Sequence, residues 1–218
     1  MRKLLTMWFL ICYSDLSWEA NLVFVMARLR EFDTEVALDA AMQAFWLRGY
    51  EATSLADLMA ATGLKKGSIY KAFNDKHSLF MLALRQYLEQ INAFNRQYLE
   101  DATSPKAGLA EMLHAVVSQR GNDKDRRGCF IVNSLVELAP HDEAVKALLE
   151  GQLSYMQTML TQAIAKGQSS GEFRTDIPAE DLSLIVLNLL QGLVTRSKGS
   201  VSVAVLQQQV DTLLKLLT

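Results

Sequence analysis

The sequence predicts an all-α protein. Only three prolines occur among 218 residues, long stretches are rich in Ala, Leu, Gln and Glu, and apolar side chains recur at helical spacing. Half of the residues are apolar and 21% are charged, enough to bury a real core. The formal net charge of −2 supplies no overall field for nucleic acid, so any such contact must come from a local cluster. Cys12 and Cys129 stand alone in dissimilar surroundings, and His77, His114 and His141 are scattered singly. That pattern is neither a disulfide framework nor a metal-ligand spacing; the expectation is no metal, no cofactor and a reducing cytoplasm.

Residues 1–25 do not match the remainder of the chain. Arg2 and Lys3 precede an apolar run, residues 4–13, which superficially resembles a secretory signal. The run is too short to span a bilayer, and Trp18 stands where a small residue should precede a cleavage site, so no membrane partner is expected. Two readings stay open: an upstream extension from a misassigned start, with Met26 beginning the protein proper, or a true apolar arm.

The elements are taken in chain order. Asp33 and Thr34 offer cap chemistry, then Leu38, Ala41, Met42 and Phe45 form one stripe, with Gly49 just past the end: a first helix over 34–48. Ser54 with Asp57 three residues on reads as a capping box for a second helix that stops at Gly63. A short third helix spans 66–72, and Asn74-Asp75 is a turn and cap. Phe80, Leu84, Tyr87, Ile91, Phe94 and Tyr98 make a long seam on the fourth helix, which ends before Ser104-Pro105. Beyond lie helices over 105–119, 129–138, 142–166, 179–197 and 202–217, with loops at 121–127 and 167–171.

Residues 54–73 carry the strongest signal, for two short helices meet at a glycine turn and the second is polar and basic. Lys65, Lys66, Lys71 and Lys76 face one acid, Asp75, between Gly63 and Lys76, a local excess of three positive charges (four minus one). A helix-turn-helix needs this arrangement, the first helix bracing on the DNA backbone while the second enters the major groove. Lysines suit phosphate, Gly67 and Ser68 allow close backbone approach, and Tyr70 can place its hydroxyl on a phosphate. A solvated lysine face on a helical hairpin is the plainer alternative; the coincidence of turn glycine, cap, short helix and lysine spacing argues against it.

At these residues a resemblance becomes specific. Phe45, Gly49, Thr53-Ser54, Gly63-Leu-Lys-Lys-Gly-Ser-Ile-Tyr, Phe73 and Asp75-Lys76, with Leu79-Phe80 beyond, resemble the DNA-binding domain of the tetracycline-repressor (TetR) family. The resemblance implies a dimeric one-component regulator, usually a repressor, that binds palindromic operator DNA and is released by an unidentified small-molecule effector. It implies a helix-turn-helix domain over 26–76 and a helical sensing and dimerisation domain over 77–218. Carried over, it assigns Thr53, Ser54, Lys65, Lys66, Gly67, Ser68, Tyr70, Lys71 and Lys76 to DNA. Lys65 stands where the family often has Ser or Thr, so a side-chain cap is lost, and Lys71 where His is common. Arg28 and Arg30 are candidates for a minor-groove arm.

Residues 182–194 are apolar nearly all round, and Leu206, Val210, Leu213 and Leu217 form one stripe. Two such helices per subunit would build an isologous four-helix interface through Leu182, Ile185, Leu189, Leu193, Leu206, Val210, Leu213 and Leu217; the alternative is a monomeric core. The candidate effector pocket comprises Phe94, Tyr98, His114, Cys129, Phe130, Asn133, Tyr155 and Met159, with Met156 beside them, though at helical spacing such side chains are more often core. Arg126-Arg127-Gly128-Cys129 resembles a segment of regulators that sense oxidants or electrophiles through cysteine, and adjacent cations would favour the thiolate. Two rival classes remain: a protein-binding helical adaptor, and an enzyme, for which no catalytic residues are visible.

Overall fold

The computed structural model describes residues 33–100 and 102–218; the expectations on residues 1–25, Arg28 and Arg30 lie outside them. Every regular element among the described residues is a helix: α1 (Thr34–Arg48), α2 (Leu55–Thr62), α3 (Lys66–Phe73), α4 (Lys76–Leu99), α5 (Pro105–Gly121), α6 (Phe130–Glu137), α7 (Glu143–Ser169), α8 (Ala179–Arg196) and α9 (Val203–Leu216).

Local chemistry sets the boundaries. Gly49 adopts φ 84° after α1, and Gly63 adopts φ 70° after α2, left-handed conformations that glycine takes without steric cost. Ser54 and Asp57 form the expected reciprocal capping box. Lys65 gives α3 no side-chain cap, whereas Asp75 caps α4 through the Ser78 N–H at 2.6 Å.

α1 is fastened by an aromatic nest. Phe45 meets Phe80 of α4 edge-on at 5.2 Å, and Phe80 meets Phe130 of α6 at 5.6 Å; all three are fully buried. Burial of this kind stabilises by about 1.5–3 kcal/mol per side chain, with a further increment from edge-to-face geometry. A second core joins Leu113 of α5, Ile164 of α7, Val186 of α8 and Val210 of α9.

Two expectations change. The segment 167–171 is not all loop: α7 continues to Ser169, and Gly167 lies inside it. A Cβ on Gly167 would lie 2.2 Å from the Phe173 ring, so its role is close approach rather than chain reversal. Six of the eight residues expected at a subunit interface, Leu182, Leu193, Leu206, Val210, Leu213 and Leu217, are buried in the chain's own core. The physical reason is that the α9 stripe covers α5. Of the other two, Leu189 is half-buried against that core and Ile185 is exposed. Among the described residues no helix is long and apolar enough to cross a membrane.

Candidate functional site

The surface of the helix-turn-helix is set by how α3 is anchored. Ile69 and Phe73 are buried, 1% and 4% exposed, and fix one face of this two-turn helix. The opposite face then presents Lys65, Lys66, Gly67, Tyr70 and Lys71 to solvent, with Ser68 half-buried at its edge. The Lys66 ammonium lies 5.8 Å from the Tyr70 ring, and the Lys76 ammonium lies 4.3 Å from the ring of Tyr50. Lys76 is half-buried, so its stem is packed and its charge held at the margin of the basic face.

Two expected contacts are spoken for. Thr53 is fully buried, and its hydroxyl donates to the Gly49 carbonyl at 2.6 Å, so it braces the turn instead of facing DNA. Ser54 is exposed, but its hydroxyl donates to Asp57 Oδ2 at 2.6 Å and accepts from the Asp57 N–H. The hydrogen bonds from Ser54 hold the Asp57 carboxyl below its ordinary range, and Arg48 pairs with its other oxygen.

The base of α1 is tied to α6 by one carboxylate. Glu137 accepts from the Tyr50 N–H at 3.0 Å and the Glu51 N–H at 2.9 Å, satisfying amides just past the end of α1. The approach requires glycine at position 49, where a Cβ would lie 2.7 Å from Glu137 Oε2. Sequence reasoning missed Glu137; an acid on a short apolar helix was its only local signal.

Deeper in, Trp46 of α1 joins the same elements. Its indole N–H donates to the Gly128 carbonyl at 3.2 Å, and its ring meets that of Tyr87 edge-on at 4.9 Å. Two guanidinium groups lie against it, Arg120 at 4.6 Å and Arg127 at 4.3 Å. Arg127 is held by Asp123 and Gln43. Burial pushes the Asp123 carboxyl up, but the hydrogen bonds and charge of Arg127 outweigh it and leave the group below its ordinary value. Arg120 differs: it is 6% exposed, and Nη2 donates to the Tyr87 hydroxyl at 3.0 Å. Tyr87 donates to Cys129 Sγ at 3.8 Å, and burial holds the phenol well above its ordinary value.

Tyr87, Arg120 and Cys129 form one wall of a cavity of about 50 Å³ enclosed by α4, α5, α7 and α8 and by the start of α6. Of the eight residues of the candidate pocket, Cys129 alone lines it. Phe94 and Tyr98 pack together at 5.0 Å against the core, and Phe130 belongs to the aromatic nest. His114 pairs with Asp211 at 3.0 Å, and Tyr155 accepts from Arg96 at the surface. Asn133 donates to the Arg127 carbonyl, and Met159 borders a separate void of about 10 Å³. Met156 does line the larger cavity. No group of three or more His, Cys, Asp or Glu able to hold a metal occurs among the described residues.

Known proteins share both halves. Residues 37–82 match the model of bacterial regulatory proteins of the tetR family, and residues 105–213 match a tetracyclin repressor-like C-terminal domain. The transcriptional repressor ComR of Escherichia coli is 30% identical over 87% of this chain and 90% of its own length. The regulator YezE of Bacillus subtilis is 32% identical over 71% and 81% respectively. Among solved structures, the TetR-family regulator CifR, a cysteine mutant bound to 26-base-pair operator DNA, superposes with a TM-score of 0.79. It is 32% identical and aligns with 88% of this chain and all of its own. The chain belongs to the tetracycline-repressor family of transcriptional regulators.

Proposed function

We propose that this chain is a dimeric transcriptional repressor that grips a palindromic operator through residues 54–73 and lets go when a small molecule fills the cavity beside Arg120. The observation that carries DNA binding is the exposed face of α3, where Lys65, Lys66, Tyr70 and Lys71 project from a helix whose other side is locked by Ile69 and Phe73. The likeness to a regulator bound to operator DNA supports the same reading. In this reading residues 26–76 bind DNA, residues 77–218 sense and dimerise, and no catalysis is involved. The surface left to a partner subunit is the outer side of α8 and α9, where Leu184, Ile185 and Val205 are 41%, 53% and 41% exposed. A mobility-shift titration with the DNA upstream of the chain's own gene tests this. Lys66→Ala and Tyr70→Phe should weaken the shift without altering the dimer, and unchanged affinity in both rejects the assignment.

A second reading, sensing through the thiol, is favoured by the place of Cys129 on the cavity wall. An alkylation rate equal to that of a model thiol would remove it.

A further inference from the structure

The cavity holds more polar capacity than the protein uses. Arg120 spends one N–H on Tyr87 and forms no ion pair among the described residues, although it is 94% buried (6% exposed). Asn95 is 5% exposed on the same cavity wall, and its carboxamide makes no hydrogen bond among the described residues. The free atoms of both residues are not sealed in. Ser134 Oγ is the only described side-chain polar atom both cut off from solvent and unpaired. A buried cation without a counter-charge is expensive, and stacking on Trp46 offsets only part of that cost. Apart from Tyr87, Cys129 and Gln191 the rest of the lining is apolar, including Ile91, Val116, Met156 and Leu190, and it contains no acid.

We propose that the cavity is a site for a small aliphatic monocarboxylate, its carboxylate on the Arg120 guanidinium and the Asn95 amide, its short tail among Ile91, Val116, Met156 and Leu190. This deepens the proposed regulatory function, on which it rests for the idea that filling the cavity matters. Size limits the ligand: about 50 Å³ accepts three to five water-sized groups, and because bonded atoms lie closer together than waters do, an acid of about four carbons is the upper limit and a long one does not fit. A dianion such as phosphate finds one cation and a greasy wall, a poor match. The same site explains transmission, because Arg120 is shared between the ligand and Trp46 of α1. A carboxylate that draws the guanidinium into the cavity loosens its stacking on the helix that precedes the helix-turn-helix.

Calorimetric titration of the full-length, DNA-free protein with sodium butyrate tests the site. Butyrate should bind, and its uncharged analogue butyramide should bind at least about tenfold more weakly. Octanoate should also be weaker than butyrate. Arg120→Gln should weaken butyrate by at least about tenfold and Arg120→Lys by less, since the charge stays while the planar fork is lost. The butyrate and butyramide comparison on the unaltered protein stands even where Arg120→Gln fails to fold. No butyrate heat up to roughly 10 mM, equal binding of the two analogues, or a folded Arg120→Gln that binds butyrate normally would each overturn the site, leaving water as its occupant. An operator shift run in parallel separates the two readings. Butyrate binding that leaves operator affinity unchanged supports the anion site and refutes effector release, whereas lost operator binding in the unliganded protein refutes the regulator itself.

Discussion

Removing the Glu137 carboxylate should loosen the hold of α6 on the end of α1. In Glu137→Ala the Tyr50 and Glu51 amides lose acceptors at 3.0 and 2.9 Å. A hydrogen bond to a charged acceptor contributes about 1.5–3 kcal/mol where desolvated, and Glu51 is exposed enough for water to recover part of its share. The expected loss is therefore about 2–3 kcal/mol in all, or roughly 4–12 °C in melting temperature for a domain of this size. Glu137→Gln keeps an acceptor oxygen and loses the charge, so it should cost about half as much. Urea unfolding followed by circular dichroism, at one fixed protein concentration because a dimer melts by mass action, gives both values. A loss below about 0.5 kcal/mol in Glu137→Ala would refute the bridge as a stabilising contact.

Three further outcomes are expected. Gly167→Ala places a methyl against the Phe173 ring, where a Cβ would lie at 2.2 Å, and should destabilise by about 1–3 kcal/mol in the same urea assay. Ser54→Ala breaks the capping box of α2 and should cost about 1 kcal/mol, with weaker operator binding because α2 positions α3. Stability should fall in acid. Asp142 is held below its ordinary value first by the Val145 N–H and then by His77, and Asp75 first by the Ser78 N–H. Carboxyls depressed in the folded state stabilise above their unfolded values near 4 and lose that contribution as pH falls through the folded ones; melting temperature should be flat on this account from pH 7 to about 5 and drop below about 4.

What could be read from the sequence was what is decided locally. Ser54 with Asp57, Gly49, Gly63 and Asp75 each act within a few residues, and the helices they bound fall where expected. Lys65, read as a missing cap, gives α3 no side-chain cap. Partners in three dimensions were less legible. The stripe Leu206, Val210, Leu213 and Leu217 says that something covers it, and periodicity does not say whether that is α5 or a second subunit. The cavity was hidden for a similar reason. Large aromatic side chains such as Phe94 and Tyr98 drew the expectation, yet these two pack on each other and against the core. The usable signal was a polar residue on an apolar row: Asn95 four residues from Ile91 and from Leu99, Arg120 four from Val116.

The basic face of α3 as a DNA grip is the central claim, and the salt dependence of operator affinity tests it most directly. Each phosphate neutralised by a lysine contributes about 0.9 to the slope of log affinity against log salt. Fluorescence anisotropy with a labelled operator duplex across a salt series should give a slope for Lys66→Ala that is shallower by about one phosphate per subunit, roughly two for the dimer, with the dimer intact. Equal slopes for the two proteins would contradict it.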